Sequence, residues 1–213
     1  MINMIGGLIK ATDPSEAWIR GLCFILDNGD EFVDERGTSI TEVLHLQTVI
    51  RKPFGSRSIP VEFGWDEAHL DIYAKQLLDP ESRGFVYTYG NRMCNWGGEI
   101  DQIKMVINRL NASRATRRAS ISTWIPTLDH NTEEVPCMMV ADFKCRDGKL
   151  NLGIYFRSHD FCCAYPANVY GMAQVLKFVS TYTNLKPGWI VTNSASAHIY
   201  GRDLEWVKTM LGA

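Results

Sequence analysis

The spacing of apolar and polar positions changes several times along the chain, and each change predicts an element. Over residues 13–27, Asp13-Pro14 sets an N-cap followed by proline at the first helical position, and Ala17, Trp18, Leu22 and Ile25 recur at helical spacing. An amphipathic helix is predicted there. Asp34-Glu35-Arg36-Gly37-Thr38-Ser39 reads as a turn, and residues 40–50 alternate and are rich in branched side chains, which predicts a strand. From 65 to 78 the apolar positions 65, 68, 70, 72, 74, 77 and 78 suit a helix that Asp79-Pro80 ends. Phe85-Val86-Tyr87-Thr88-Tyr89-Gly90 reads as a strand running into a turn, and 100–110 as a helix with Ile103, Val106, Ile107 and Leu110 on one face.

Beyond a basic patch at 114–118 the pattern turns strand-rich, with strands predicted at 119–125, 138–144 and 150–156 and a hairpin turn at Arg146-Asp147-Gly148-Lys149. A long helix is predicted over 168–183, stopped by Leu185-Lys186-Pro187-Gly188, then a last strand at 189–193, a small-residue segment and a short helix near 201–211. No repeat, low-complexity run or linker divides the chain, so residues 1–213 are expected to form a single domain. Strands and helices mix without a regular βαβ rhythm, which predicts an α+β sandwich.

Composition narrows the function classes. The chain is 46% hydrophobic and 22% charged, ordinary for a globular domain, and 22 basic against 24 acidic residues leave a formal charge of −2. Such a balance offers no global field for a polyanion, so no nucleic-acid partner is expected and any anion must be held by a local cluster. No apolar run reaches the ~18 residues of a membrane span, and the first residues lack the basic flank and long apolar core of a signal peptide. A cytoplasmic location without a membrane partner is expected. Six cysteines show no C-x-x-C spacing, and Cys162 and Cys163 are adjacent, which suits neither zinc nor a secreted disulfide framework. They read as mostly buried thiols in a reducing compartment, with no metal.

Arg114, Arg117 and Arg118 form either a solvated face or a phosphate clamp, for which guanidinium forks are well shaped. Arg36 beside Gly37 and Thr38, and Arg157 before Ser158, place two more guanidinium groups next to small hydrogen-bonding residues. Cys137 follows Pro136 where the acidic loop 129–134 meets a strand, so its thiol lies either at a cleft mouth or in the core. Arg157 on the neighbouring hairpin strand would favour the thiolate and leave it partly ionised at neutral pH. His198 and Tyr200, two apart, point the same way on an extended segment.

In order and spacing these residues resemble the thymidylate synthase family. The resemblance rests on Arg117-Arg118, Trp124, Pro136-Cys137, Arg157-Ser158-His159-Asp160, Pro166-Ala167-Asn168 and His198-Ile199-Tyr200. Ile100-Asp101-Gln102-Ile103, Asp34-Glu35-Arg36-Gly37-Thr38 and Tyr87-Thr88-Tyr89-Gly90 add to it. The family departs from this chain at Met138, Phe156 and Ala167, where it usually has histidine, glutamine and phenylalanine, and in the short stretch after Tyr200, where members usually continue into a longer tail over the folate.

The resemblance implies a mixed β-sheet covered by helices on one face and the reductive methylation of dUMP at C5 to dTMP. Cys137 is then the nucleophile at C6, and Arg36, Arg117, Arg118, Arg157 and Ser158 hold the phosphate. His198 and Tyr200 hold the ribose hydroxyl, and Asn168 reads the base. Tyr89 and Asp160 order water around the ring, and Glu67 is the expected carboxylate, with Glu62 and Asp71 as alternatives. It also implies a reduced pterin as one-carbon donor, methylene-tetrahydrofolate or methylene-tetrahydromethanopterin, and a homodimer in which the Arg117-Arg118 pair reaches the partner's phosphate site. A monomer, a pyrimidine nucleotide (dCMP or CMP) hydroxymethylase and a non-catalytic nucleotide-binding homologue remain open alternatives.

Overall fold

The computed structural model describes residues 5–55 and 58–212. In chain order the strands are β1 (Ile5–Ala11), β2 (Asp30–Val33), β3 (Ser39–Ile50), β4 (Ser120–Ser122), β5 (Met138–Arg146), β6 (Lys149–Phe156), β7 (His159–Asp160) and β8 (Lys186–Tyr200). The helices are α1 (Pro14–Asn28), α2 (Glu67–Gln76), α3 (Tyr89–Cys94), α4 (Gln102–Ala112), α5 (Pro126–Asp129), α6 (Tyr165–Thr183) and α7 (Leu204–Leu211).

Alternation of buried and open positions along β5 and β6 builds a two-faced sheet. Its strand order is β1-β3-β8-β6-β5-β4, with β2 on β3 and β7 on β8. Pairing is parallel for β1–β3, β6–β8 and β7–β8 and antiparallel for the rest, so the sheet is mixed. Helices cover one face. Trp18, Leu22 and Ile25 of α1 and Val175, Leu176 and Val179 of α6 share a core with Leu46, Phe143, Leu152, Ile154 and Ile190 of the sheet. Each such side chain stabilises the fold by about 1.5–3 kcal/mol on burial. The opposite face leaves Leu8, Val140, Tyr155 and Trp189 exposed.

Val43 and Leu46 of β3 both point into the core although they lie three residues apart. The left-handed His45 (φ 57°) between them switches the face, and Ser194 and Ala197 of β8 show the same three-residue step. Past this step β8 runs on to Tyr200, and β7 pairs with it, setting Asp160 opposite His198.

Several sequence expectations need correction. Residues 85–88 run as a bend and irregular chain, not a strand, and Tyr89 begins α3, capped by the Thr88 hydroxyl accepting from Asn91 N–H at 3.0 Å. Gly90 is required there, since a Cβ would lie 1.9 Å from the Gln76 carbonyl oxygen at the end of α2. The last strand is far longer than 189–193 and absorbs the small-residue segment, while β1 and β2 were not anticipated. The thiols are less uniformly buried than expected: Cys145 and Cys162 are buried, Cys23, Cys94 and Cys137 half-buried, and Cys163 exposed. Asp147-Gly148 does make the predicted hairpin turn, both with positive φ. Residues 1–4, part of the stretch tested for a signal peptide, lie outside the described residues. No helix of the described residues is long and apolar enough to cross a membrane.

Candidate active site

The entry to the β5–β6 hairpin creates the site's first cluster. Met138 pairs with Phe156, so the residues just outside that pair face each other and Arg157 N–H donates to the Cys137 carbonyl at 2.8 Å. The Arg157 guanidinium donates from Nε to the Pro136 carbonyl at 2.9 Å and from Nη2 to the Val135 carbonyl at 3.1 Å, and Nη2 approaches Cys137 Sγ at 3.8 Å. These contacts use Nε and Nη2 and leave Nη1 for an anion. The Tyr89 hydroxyl accepts from Met138 N–H at 3.0 Å, and the Tyr87 hydroxyl donates to Val135 at 3.2 Å. Burial pushes the Cys137 thiol above its usual range, against the charges of Arg157 and Arg36. Burial therefore acts against the partial thiolate expected from the neighbouring guanidinium, and outweighs it in direction.

The second cluster surrounds the buried amide of Asn168, one turn into α6. Tyr73 of α2 donates from its hydroxyl to Asn168 Oδ1 at 2.6 Å, and Asn168 Nδ2 lies 3.4 Å from His159 Nε2. His159 Nδ1 in turn sits 2.9 Å from Ser194 Oγ, and the ring stacks on Phe156 at 3.8 Å. Burial lowers the His159 pKa to about 3, so the ring is neutral.

The third cluster is the β7–β8 edge. Asp160 Oδ1 accepts the N–H groups of Cys162 and Cys163, each at 2.9 Å, yet burial still raises its pKa. His198 Nδ1 lies 3.2 Å from Ser196 Oγ, whose hydroxyl donates to Glu42. Burial lowers the His198 pKa against the pull of Asp160 and Glu42. Tyr200 packs edge-on to His198 at 5.0 Å and beneath Arg202 at 4.5 Å. The Cys162, Cys163 and Asp203 ligand atoms lie within 4.8 Å of one another, a grouping hidden by the lack of C-x-x-C spacing.

Other expected residues stand apart. Arg36 is exposed in the turn held by Asp34 Oδ1, donates to the Glu133 carbonyl at 3.2 Å, and its charge reaches Cys137. Ser158 is half-buried beside Arg157. Arg117 and Arg118 are exposed before β4, and Arg118 lines a groove with Arg109 and Trp96. Glu67 is exposed at the start of α2 and Glu62 in the 3-10 turn before it, while Asp71 accepts from the Tyr170 hydroxyl at 2.6 Å. Among the described residues, none of these three carboxylates hydrogen-bonds to the Cys137 or Asn168 clusters. On the outer side of Tyr73 a cleft of about 460 Å³ is walled by Trp65, His69, Ile72 and Tyr73 and edged by Gln76, Asp79 and Arg83.

Sequence reasoning missed Tyr73, His159 and Ser194. Tyr73 sat on a helix read only for its apolar stripe, and His159 occupied the variable place of Arg157-Ser158-His159-Asp160. It also placed Asp129 in an acidic loop. Asp129 is instead buried against Arg92 of α3, with Nη2–Oδ1 at 2.7 Å and Nη1–Oδ2 at 3.2 Å.

The chain is similar to known proteins over most of its length. The thymidylate synthase family model matches residues 62–212. A protein of Methanococcoides burtonii named "Putative thymidylate synthase" is 47% identical over 208 residues, covering 97% of this chain and 95% of that protein. Proteins of the same name from Methanothermobacter marburgensis and Methanocaldococcus jannaschii are 34% and 29% identical, covering 95% and 94% of this chain and 97% and 94% of theirs. The chain belongs to the thymidylate synthase family, a family of methyltransferases.

Proposed function

We propose that the protein methylates dUMP reductively at C5, giving dTMP through a transient Cys137 adduct at C6. The observation that carries this reading is a half-buried thiol beside a guanidinium with Nη1 to spare, close enough to Tyr73 for its charge to be felt there, with Tyr73 in turn holding the Asn168 amide. Anions recruited by Arg157, Ser158 and Arg36 would fix the nucleotide at its phosphate, and that remote binding energy sets C6 against Sγ. Transfer of the thiol proton to the water ordered by Tyr89 and Asp160, with attack of Sγ at C6, pushes the ring electrons onto O4 and makes C5 nucleophilic. Asn168 contacts N3–H and O4 and stabilises the charge that develops there. His198 and Tyr200 hold the ribose hydroxyl. Tyr89 and Asp160 order water at the ring, and Glu67, with Glu62 and Asp71 as alternatives, relays protons at O4.

A reduced pterin supplies the one-carbon unit and the hydride. The cleft outside Tyr73 has the volume and aromatic walls for such a bicyclic ring, with Trp65, His69 and Tyr73 as the residues to hold it. Both methylene-tetrahydrofolate and methylene-tetrahydromethanopterin fit this description. The exposed apolar sheet face, and an Arg117 and Arg118 that are exposed and not among the guanidinium groups acting on Cys137, support a C2 dimer in which that pair serves the partner's phosphate site.

Incubating the protein with dUMP and each donor in turn, with mass analysis of the nucleotide product, tests the reading. A gain of one methyl group with either donor is expected. A 5-hydroxymethyl product points to the hydroxymethylase, and tight nucleotide binding without any product to a non-catalytic homologue; both overturn the proposal.

A further inference from the structure

The two adjacent cysteines just before α6 meet a carboxylate that follows 40 residues later. Cys162 Sγ, Cys163 Sγ and a carboxylate oxygen of Asp203 lie within 4.8 Å of one another, and the Cys163 thiol donates to Asp203 Oδ2 at 3.8 Å. None of the three side chains takes part in the proposed reaction. We propose that they form a binding site for one thiophilic divalent cation of the zinc class, with Cys162, Cys163 and Asp203 as ligands and a fourth position open to water.

The donor set and its spacing carry the proposal. Two thiolates and one carboxylate suit a borderline-soft ion that prefers four ligands, and they disfavour magnesium and calcium, which take oxygen. Around a tetrahedral zinc, bonds of about 2.3 Å to sulfur and about 2.0–2.2 Å to oxygen set a sulfur and an oxygen about 3.6 Å apart and two sulfurs about 3.8 Å apart. The Cys163–Asp203 distance of 3.8 Å already matches, and the 4.8 Å limit on the other pairs asks for an adjustment of little more than about 1 Å. The ligands are also held in place beforehand. Asp160 Oδ1 accepts the N–H groups of Cys162 and Cys163, each at 2.9 Å, Phe161 N–H donates to the His198 carbonyl at 2.9 Å, and Trp18 Nε1 donates to the Phe161 carbonyl at 2.7 Å. That turn is therefore fixed against β8, whose end leads directly to Asp203. Cys162 is buried and Cys163 exposed, so an ion has a path in from one side. Binding releases both thiol protons to solvent, and two thiolates and a carboxylate around a divalent ion leave one net negative charge. Arg202, whose Nε lies 3.5 Å from Asp203 Oδ2, is placed to offset it, since a carboxylate oxygen accepts on two lone pairs.

The test titrates cobalt(II), a spectroscopic stand-in for zinc, into the metal-free full chain kept reduced by a phosphine under anaerobic conditions, and then displaces it with zinc. One cobalt per chain is expected, with the thiolate-to-metal charge-transfer band and strong visible bands of a tetrahedral site, bleached by an equivalent of zinc and untouched by magnesium. Cys163→Ser and Asp203→Asn change one exposed and one half-buried side chain, so neither removes core packing. Each should weaken zinc binding about tenfold or more, as loss of a ligand costs at least what loss of its outer support does. Cys23→Ser, on α1, should leave binding unchanged and so separates this site from adventitious binding to the remaining thiols. Absence of the tetrahedral bands, displacement by magnesium, an unaltered zinc affinity in either Cys163→Ser or Asp203→Asn, or an equal loss in Cys23→Ser overturns the site. No nucleotide enters the measurement, so its outcome is independent of the proposed dUMP reaction.

Discussion

Replacing Asp129 with alanine should destabilise the protein by about 3–5 kcal/mol, because it strips a buried guanidinium of its only carboxylate partner among the described residues. Arg92 and Asp129 side chains are 6% and 1% exposed and share two hydrogen bonds, and Asp129 Oδ2 also accepts from Ile125 N–H at 2.6 Å. The substitution leaves the cation, which then faces the Tyr87 ring, without a carboxylate, and that N–H without its acceptor. For a chain of this size each kcal/mol moves the melting temperature by about 2–4 °C, so a fall of about 6–20 °C is expected. Urea unfolding followed by circular dichroism gives the free energy directly. The double variant Arg92→Met with Asp129→Leu should recover most of the loss, since apolar groups of similar volume replace a buried pair at little cost. The pair also anchors α3, whose first residue carries the Tyr89 hydroxyl to Met138 N–H, so the single variant should lose activity before it unfolds. A single variant within about 1 kcal/mol of wild type, or a double variant no better than the single, would refute the reasoning.

Alkylation of Cys137 by iodoacetamide should accelerate as pH rises beyond the usual thiol range near about 8.5, because burial raises its pKa, and Arg157→Gln should move the profile higher still; a profile centred near neutrality would contradict this. His159, neutral in the fold with a pKa of about 3 and protonated below about 6.5 when unfolded, binds fewer protons native than unfolded in between. Stability from this group is therefore complete above that unfolded value and falls on acidification, by up to about 1.4 kcal/mol per pH unit, a slope that His159→Phe should flatten in pH-dependent urea unfolding. Mixing inactive Cys137→Ala and Arg118→Glu chains should restore activity if the arginine pair acts across a dimer, whereas a mixture that stays dead would place it within its own chain.

Local signals carried much of the fold into the sequence. Asp13-Pro14 announces α1, and Asp147-Gly148, both in left-handed conformations, announces the β5–β6 hairpin. Elements that depend on distant partners were harder to read. β1 lies at the sheet edge, buried only at Ile9 and Ala11, and its pairing with β3 leaves no short-range trace. Residues 85–88 have strand-like composition, but the close approach of Gly90 to the end of α2 turns the chain into a helix. For the site, the motif residues Cys137, Arg157 and Asn168 were legible by type and spacing. Their supports were not: Tyr73 and Ser194 are ordinary side chains whose importance comes from lying 95 and 35 residues from the groups they hold. The sign of the Cys137 shift was missed because burial cannot be read from a neighbouring arginine.

The central claim is that Cys137 attacks C6 of a uracil nucleotide. Incubation with 5-fluoro-dUMP and a methylene-carrying reduced pterin, followed by peptide mass spectrometry, tests it most directly, since a fluorine at C5 cannot leave as a cation and arrests the reaction with the thioether in place. The account predicts a covalent adduct on the peptide bearing Cys137 and no other cysteine, abolished in Cys137→Ala. An adduct on another of the six cysteines, or full turnover of dUMP by Cys137→Ser, would contradict it.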